Sequence, residues 1–420
     1  MKTPFRFSCA CLLAIGVGAS VVGCASDNAE PPNSDWRAEI DTVGDTVRVR
    51  TLSGSIWGTT ELQQDQRIGA VDGADHEIFG DISAIAVDDA GNIYVYDRQV
   101  PALRKYTANG DYVITLGREG GGPGEYAQPD GGLAVLADGR VVLRDPGNVR
   151  LTVYGNDGAY QESWPQRDGR NSSTPLFAMP DGGFVNPVFA PGQPTRLVRY
   201  AADGEPLDTL PLPERDVERA FLRAEVEGGG ARITYGVPFT PSAQWTWHPE
   251  GYFLSAVSDR YAIDLLRSDT VIQLGRVLEP VPISEAERTA QETHITQIMR
   301  NFDPAWRWSG PAIPSTKPLI RDLFTGKDGQ IWVQLHQSGE RTATDESEGD
   351  VAEPDQVEFR ERAVFDVFDT DGRYLGLVTT PPTFSVDPPP TFRDEYVWAT
   401  ERDELGVQYV VRYRLAHSTR

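Results

Sequence analysis

The sequence predicts an all-β fold built from repeated four-stranded units. Residues 84–97 and 132–145 each consist of two apolar runs around a turn, and a second hairpin follows each of them at the same spacing. The turns of these four hairpins contain Gly91, Gly110, Gly139 and Gly158. Glycine is favoured in tight hairpin turns. Because no helical period fills the gaps between the strands, each unit is typical of one blade of a β-propeller.

Weaker copies of this unit continue towards the end of the chain. They begin near Leu176, Trp245 and Leu319, and the final copy, residues 396–415, is one strand short. Residues 47–50 (Val-Arg-Val-Arg) alternate apolar and charged side chains, as a half-buried strand does. We therefore expect this N-terminal segment to complete the last blade and close the ring.

Three insertions interrupt the repeat, at residues 211–235, 280–315 and 339–360. In the second insertion, Ser284 followed by Glu287 forms a capping-box pattern ahead of apolar residues, so we expect a short helix near 284–302. The third insertion is acidic and almost free of apolar residues, which favours a solvated loop.

The first unit resembles an NHL-type repeat. The resemblance rests on residues 87–97, 103–106 and Gly110, and the glycine-rich segment 117–126 is similar to a linker common in six-bladed β-propeller proteins of bacteria, which are often lipoproteins. This resemblance implies six four-stranded antiparallel blades in a single domain that spans residues 46–420.

Residues 1–23 have the pattern of a secretory signal. A basic start precedes an apolar run that ends in Val21-Val22-Gly23-Cys24, and this run is shorter than the roughly 20 residues that a membrane-spanning helix needs. The last four residues resemble the lipidation motif of bacterial lipoproteins, which implies a lipidated Cys24. Lipoproteins retained in the inner membrane usually have aspartate directly after the cysteine, whereas this sequence has Ala25. The resemblance therefore implies sorting to the outer membrane. The alternatives are an ordinary cleaved signal and an uncleaved N-terminal anchor.

The segment that starts at the cysteine, residues 24–45, is polar and has no hydrophobic period, so we expect a flexible tether. The whole chain is acidic, with 62 acidic against 39 basic residues and a net charge of -23. Because such a surface repels phosphate backbones, nucleic-acid binding is excluded as a general function. All three cysteines lie within the first 24 residues, so the rest of the chain has no disulfide and no thiolate chemistry.

No local motif predicts a catalytic centre. The five histidines lack zinc-site spacing. Residues 369–372 resemble the middle of a calcium loop, but Val367 and Val378 stand where that loop needs carboxylates, so we interpret the segment as a turn. We therefore predict no catalytic residue, no metal ligand and no cofactor, although propellers can assemble ligands from distant blades.

Candidates for ligand binding follow from the positions of the hairpins. Residues just after the second strand of a blade should reach one mouth of the central channel, and segments rich in tryptophan and arginine are typical of binding surfaces. The candidates are Asp97, Arg98, Arg144, Asp145, Trp247, His248, Arg300, Trp306, Trp308 and His336. For the two aspartates the alternative is local bonding to the backbone or the arginines, and for tryptophan it is packing between blades. We expect the helix to cap the channel mouth.

Two functions remain open from the sequence. We favour a lipid-anchored protein of the cell envelope, held in the outer membrane through Cys24, that binds or scaffolds a protein, peptide or glycan. The alternative is a propeller enzyme, similar to lactonases or lyases, that holds calcium or another divalent cation in the central channel. Three or more carboxylate, amide or imidazole groups converging in the channel would favour the enzyme.

Overall fold

Antiparallel sheets arranged around a central channel form the structure, a β-propeller of six blades, and only one helix lies in the part of the chain that is described. This computed structural model describes residues 35–166, 174–189, 194–226, 230, 232–342 and 358–416. The predicted all-β fold with four-stranded blades is confirmed. The predicted signal sequence and Cys24 lie outside the described residues.

Three strands precede the first blade: β1 (Arg37–Val43), β2 (Thr46–Ser53) and β3 (Gly58–Ile68). The first two form a hairpin that pairs along its whole length. Its turn contains Gly44 at a φ of 66°, a conformation that glycine adopts without strain. The expectation of a flexible tether as far as residue 45 is therefore wrong for residues 37–43, because their backbone groups find partners on β2.

The first three blades each contain four antiparallel strands that follow one another from the channel outwards. The strands of blade 1 are β4 (Ile82–Val87), β5 (Ile93–Asp97), β6 (Ala102–Tyr106) and β7 (Tyr112–Leu116). A short parallel pair follows, β8 (Arg118–Glu119) and β9 (Glu125–Tyr126). The strands of blade 2 are β10 (Leu133–Val135), β11 (Val141–Asp145), β12 (Arg150–Tyr154) and β13 (Tyr160–Pro165). The strands of blade 3 are β14 (Phe177–Ala178), β15 (Phe184–Val188), β16 (Arg196–Tyr200) and β17 (Pro206–Pro211).

The remaining blades carry the insertions. A hairpin of β18 (Phe221–Glu225) and β19 (Arg232–Gly236) precedes blade 4, which contains β20 (Ala243–His248), β21 (Tyr252–Val257), β22 (Ala262–Leu266) and β23 (Val271–Arg276). The helix α1 (Glu285–Arg300) follows. Blade 5 contains β24 (Ile320–Thr325), β25 (Ile331–Leu335), the inserted hairpin β26 (Gly339–Thr342) and β27 (Glu358–Glu361), then β28 (Val364–Phe368) and β29 (Tyr374–Thr379). Blade 6 contains β30 (Phe384–Ser385), β31 (Thr391–Arg393), β32 (Tyr396–Arg402) and β33 (Gln408–Leu415).

The turn glycines behave as the sequence predicts. Gly91, Gly110, Gly139 and Gly158 have φ angles of 84° to 85°, in the left-handed region that other residues rarely adopt. All four turns lie on the same side of their blades, which we call the turn face. The ends of the second strands and the connections between blades lie on the opposite side.

An N-terminal strand closes the ring, as expected, but it is β3 and not residues 47–50. The second half of β3 pairs antiparallel with β33, from Leu62 opposite Leu415 to Ile68 opposite Val410. Residues 46–51 instead pair parallel with β23 and extend blade 4 outwards. The alternating pattern of residues 47–50 fits this position equally well, since Val49 is buried against blades 4 and 5.

The first half of β3 has a different partner. Residues 58–61 pair parallel with residues 376–379 of β29, so a single strand lies along the outer edge of blade 5 and then completes blade 6.

Apolar packing between blades holds the ring together. Six clusters of buried side chains lie between consecutive blades, and one of them joins the last blade to the first. This closing cluster contains Trp398 and Val410 of blade 6 with Val87 and Val95 of blade 1. The core is thus a ring of interfaces, and the sequence-predicted count of six blades is confirmed.

The three insertions meet on the face opposite the turns, which we call the insertion face. They are α1 with its flanking segments, the hairpin β18–β19 and the hairpin β26–β27, and together we call them the cap. The cap has a core of its own, which includes Leu222, Ile295, Met299 and Trp306. The predicted helix is confirmed at Glu285–Arg300, with the Ser284 hydroxyl accepting a hydrogen bond from the Glu287 N–H at 3.2 Å.

Candidate functional site

Asp97 and Asp145 hold backbone groups of their own blades. Asp97 is fully buried and accepts hydrogen bonds from the N–H groups of Gly80 at 2.9 Å and Asp81 at 3.0 Å. Asp145 is equally buried and accepts one from the Gln128 N–H at 2.9 Å. Each carboxylate ends the second strand of its blade and fixes the segment that leads into the first. The structure therefore favours the local alternative for both aspartates.

Arg98 and Arg144 each form an ion pair with an aspartate, the first at the surface and the second in the interior. Arg98 is exposed on the surface and donates to Asp81. Arg144 is fully buried, with Nε 2.8 Å from Asp130 Oδ1 and Nη1 2.7 Å from Asn186 Oδ1. Because Asn186 belongs to blade 3, this arginine joins blades 2 and 3.

His248 lies at the turn face, opposite the cap. Its Nδ1 accepts a hydrogen bond from the Glu250 N–H at 3.2 Å, so Nε2 carries the proton and donates to the Gly329 carbonyl at 2.9 Å. Burial lowers the pKa of the His248 imidazole, which keeps the ring neutral. This histidine ties blade 4 to a turn of blade 5. Its neighbour Trp247 lines the central channel.

Arg300, Trp306 and Trp308 belong to the cap. Trp306 is buried and donates its indole N–H to the Arg223 carbonyl at 2.8 Å, which links the segment after α1 to the hairpin β18–β19. Arg300 Nε donates to the Trp306 carbonyl at 3.2 Å, and the rings of Trp306 and Trp308 lie edge to face with centroids 6.3 Å apart. The aromatic residues of this segment mainly build the cap.

His336 belongs to a buried cluster of charged groups that joins the cap to blade 5. Lys317 Nζ lies 2.6 Å from Glu287 Oε1 of α1 and 2.9 Å from Glu361 Oε1 of β27. The same ammonium donates to the Gln337 carbonyl at 2.8 Å. His336 Nδ1 lies 3.0 Å from Glu361 Oε2. The insertions and the ring thus share one hydrogen-bonded network.

The network keeps the Glu361 carboxylate ionised. Burial alone would raise its pKa, but the hydrogen bond and attraction of His336, with the Gln337 N–H and Lys317, lower the pKa of Glu361 to about 2. The ammonium of Lys317 also lies 4.9 Å from the centroid of the Phe239 ring. Sequence reasoning had identified Glu287 only as a capping residue and had missed Lys317 and Glu361, which local motifs do not mark.

A cavity of about 340 Å³ lies between the cap and blades 5 and 6. We call it the cap cavity. Its polar lining comes from α1, β24, β25, β27 and the segment between β30 and β31: Glu287, Gln291, Arg321, Gln334, Arg360, Glu361 and Asp387. Charges of both signs therefore face it. The sequence predicts that the helix caps the channel mouth. In the structure α1 lies on the insertion face and is joined to blade 5 through the contact of Glu287 with Lys317.

A second cavity, of about 180 Å³, lies in the central channel, and the first strands of all six blades contribute to its wall. We call it the channel cavity. The larger side chains of its lining are mostly apolar: Ile85, Val135, Leu176, Phe177, Trp247 and Phe392. Lys327 lines the turn-face end and donates to the Val87 carbonyl, which links blade 5 to blade 1 there.

Two further observations concern the described part of the chain only. Within it, no group of three or more His, Cys, Asp or Glu side chains is placed to hold a metal ion. The same residues include no helix with the length and hydropathy to cross a membrane.

The comparison with known proteins finds similar solved structures but no related sequence. No model of a known protein family matches the sequence, and no curated protein matches it either. Among solved structures, a Bacteroides fragilis protein described as exported is similar over 88% of this chain and 99% of its own, with 10% identity and a TM-score of 0.45. A member of the DUF4221 family from Bacteroides vulgatus is similar over 86% of this chain and 100% of its own, with 8% identity and a TM-score of 0.48.

A gluconolactonase from Xanthomonas campestris is similar over 84% of this chain and 98% of its own, with 14% identity and a TM-score of 0.39. At these identities neither a ligand nor a reaction is transferred to this chain.

Proposed function

We propose that this protein is a binding propeller of the cell envelope, held at a membrane through lipid on Cys24, which presents its insertion face to a partner. The observation that carries the proposal is the cap. Three segments that are separate in the sequence assemble on one face of the ring, and two of them, α1 and the hairpin β26–β27, line the cap cavity.

The cap is additional to what the ring needs. The six interfaces between blades are formed by the blades and β3, whereas the cap buries a separate cluster. Insertions that a rigid scaffold holds in place are where binding residues concentrate. Arg321 and Arg360 face the cap cavity together with Asp387. This mixed lining suits a polar partner, such as a peptide, a glycan or the surface of a protein.

The membrane anchor rests on the sequence motif at residues 21–24. Lipid on Cys24 in the outer membrane would place the ring in the envelope, and membership of the NHL-like propeller lipoproteins belongs to the same proposal. Metabolic labelling with an alkyne-tagged palmitate tests it. The wild-type protein should carry label and sediment with membranes, and Cys24→Ala should lose both. If the Cys24→Ala protein still carried label and sedimented with membranes, the proposed lipid anchor at Cys24 would be wrong.

Binding is favoured over the enzyme alternative by the wall of the channel cavity. That alternative requires converging carboxylate, amide or imidazole groups in the channel. The described wall consists instead of apolar, hydroxyl and backbone groups with one lysine, Lys327.

Cross-linking in intact cells tests the binding face. A photo-reactive amino acid at Gln291, which lines the cap cavity, should give discrete cross-linked products, and the same substitution at Asp371 on the turn face should not. Arg360→Ala should weaken the Gln291 products severalfold, while Arg373→Ala, at the turn face, should leave them unchanged. Equal cross-linking from both faces would overturn the proposal.

A further inference from the structure

The channel cavity contains buried hydrogen-bonding groups without partners. Trp247 is 2% exposed, and its indole N–H has no hydrogen-bond partner among the described residues. The hydroxyl of Ser83, which also lines the cavity, has none either. Leaving a buried donor unpaired is costly, so such groups normally meet an acceptor. Each of the two groups therefore requires a partner that is not a described residue.

Ser83 and Trp247 come from opposite blades of the ring. Ser83 belongs to blade 1 and Trp247 to blade 4, which are opposite each other in a six-bladed ring. The larger side chains between them are mostly apolar, with Leu176 and Phe177 on one side and Phe392 on the other, and Lys327 is the one charged residue among the described residues of the wall. The indole N–H of Trp164, Trp332 and Trp398 also lacks a described partner. All four tryptophans pack between blades, but only Trp247 also lines this cavity.

The dimensions and chemistry of the cavity define a class of ligand. An apolar protein cavity of about 150 Å³ stays dry and binds benzene. The channel cavity has about 180 Å³, room for a single aromatic ring with a small substituent. Polar groups in such sites fix the orientation of the ligand. Here Trp247 offers a donor, so the matching ligand carries one acceptor.

We propose that the channel cavity binds a small, uncharged, mostly apolar molecule whose carbonyl or ether oxygen accepts a hydrogen bond from the Trp247 indole N–H. This site is distinct from the cap cavity and does not depend on a partner there. Lys327 links blades 5 and 1 at the turn-face end of this site.

The test uses two probes of the same shape. Acetophenone has a carbonyl oxygen where α-methylstyrene has a methylene group, so the pair differs by the acceptor alone. Binding of each to the full-length protein in lipid nanodiscs is measured by calorimetry, with empty nanodiscs as the blank. Acetophenone should bind about five- to tenfold more tightly than α-methylstyrene, the value of one hydrogen bond.

A matched pair of variants locates the hydrogen bond. Trp247→Phe should reduce acetophenone binding to the level of α-methylstyrene and leave the latter within about twofold. Trp332→Phe removes an equally buried, unpaired N–H outside the cavity, and should change neither affinity. Thermal unfolding confirms that both variants are folded.

Three results would overturn the inference. Failure of both probes to bind the wild-type protein would show that the channel cavity does not take a ligand of this class. Equal affinities for the two probes, unchanged in Trp247→Phe, would remove the role of the indole. An equal loss in Trp332→Phe would place the effect outside the cavity. None of these results bears on cross-linking at the cap, so the two proposals fail separately.

Discussion

Lys317 Nζ lies 2.6 Å from Oε1 of Glu287, and this contact fastens the helix to the ring at blade 5. Both side chains are almost completely buried. The ammonium also lies 2.9 Å from Glu361, so one cation joins two insertions to the scaffold. Lys317 is therefore one of the buried contacts that hold the cap on blade 5.

Removing that cation should destabilise the protein strongly. Lys317→Met leaves Glu287 and Glu361 as buried charges without their shared partner, which costs about 3–5 kcal/mol in comparable cases. Urea-induced unfolding followed by tryptophan fluorescence measures the loss. The matched control is Arg199→Met, whose ion pair with Asp208 is partly exposed and should contribute less than about 1 kcal/mol. Equal losses in the two variants would contradict the importance of the buried cluster.

The same cluster should make stability depend on acidity. The folded pKa of Glu361 is lowered from 4.5 to about 2, so its stabilising contribution is complete above pH 4.5 and is lost as the pH falls towards 2. Glu361→Gln should be less stable than wild type at pH 6 and should show a smaller loss between pH 4.5 and 3. Glu404→Gln, at an exposed site, is the control. An unchanged pH profile in Glu361→Gln would refute this assignment.

The aspartates that end the second strands should matter for stability. Asp97→Ala would leave the N–H groups of Gly80 and Asp81 without their acceptor, and should cost about 3 kcal/mol. Asp145→Ala should behave in the same way. Asp259→Ala, at a half-exposed carboxylate, should change the free energy of unfolding by less than about 1 kcal/mol. A stable Asp97→Ala protein would reopen a ligand-binding role for this residue.

The closing strand can be tested by cross-linking. Gln63 lies opposite Arg414 in the pairing of β3 with β33, and the sequence after Cys24 contains no cysteine. Gln63→Cys with Arg414→Cys should form a disulfide, seen as a linked peptide by mass spectrometry. Gln63→Cys with Val410→Cys should not, because four strand residues span about 13 Å and a disulfide needs less than about 7 Å. A link only in the second pair would disprove the register.

The blades were predictable because their turns require a conformation that glycine adopts freely. Gly91 and Gly139 mark equivalent positions, and the apolar runs beside them become strands whose faces pack against neighbouring blades. The helix was predictable for a similar local reason, since Ser284 caps its first turn.

Partners that are distant in the sequence were not predictable. The alternation in residues 47–50 indicates a strand with one buried face, but it does not indicate which blade supplies its neighbour. β3 carries a weaker pattern, with polar residues between Leu62 and Ile68. Lys317, Glu287 and Glu361 come from three segments and meet only when the cap is assembled, so no spacing reveals them.

The two partners of β3 also set the order in which the chain can fold. This strand is made early, but the strands it pairs with, β29 and β33, lie in the last fifth of the sequence. During synthesis its backbone groups stay without these partners while five blades appear one after another. Completion of the ring is therefore the final folding event, and a chain that stops before β33 cannot reach the native state, however many blades it already contains.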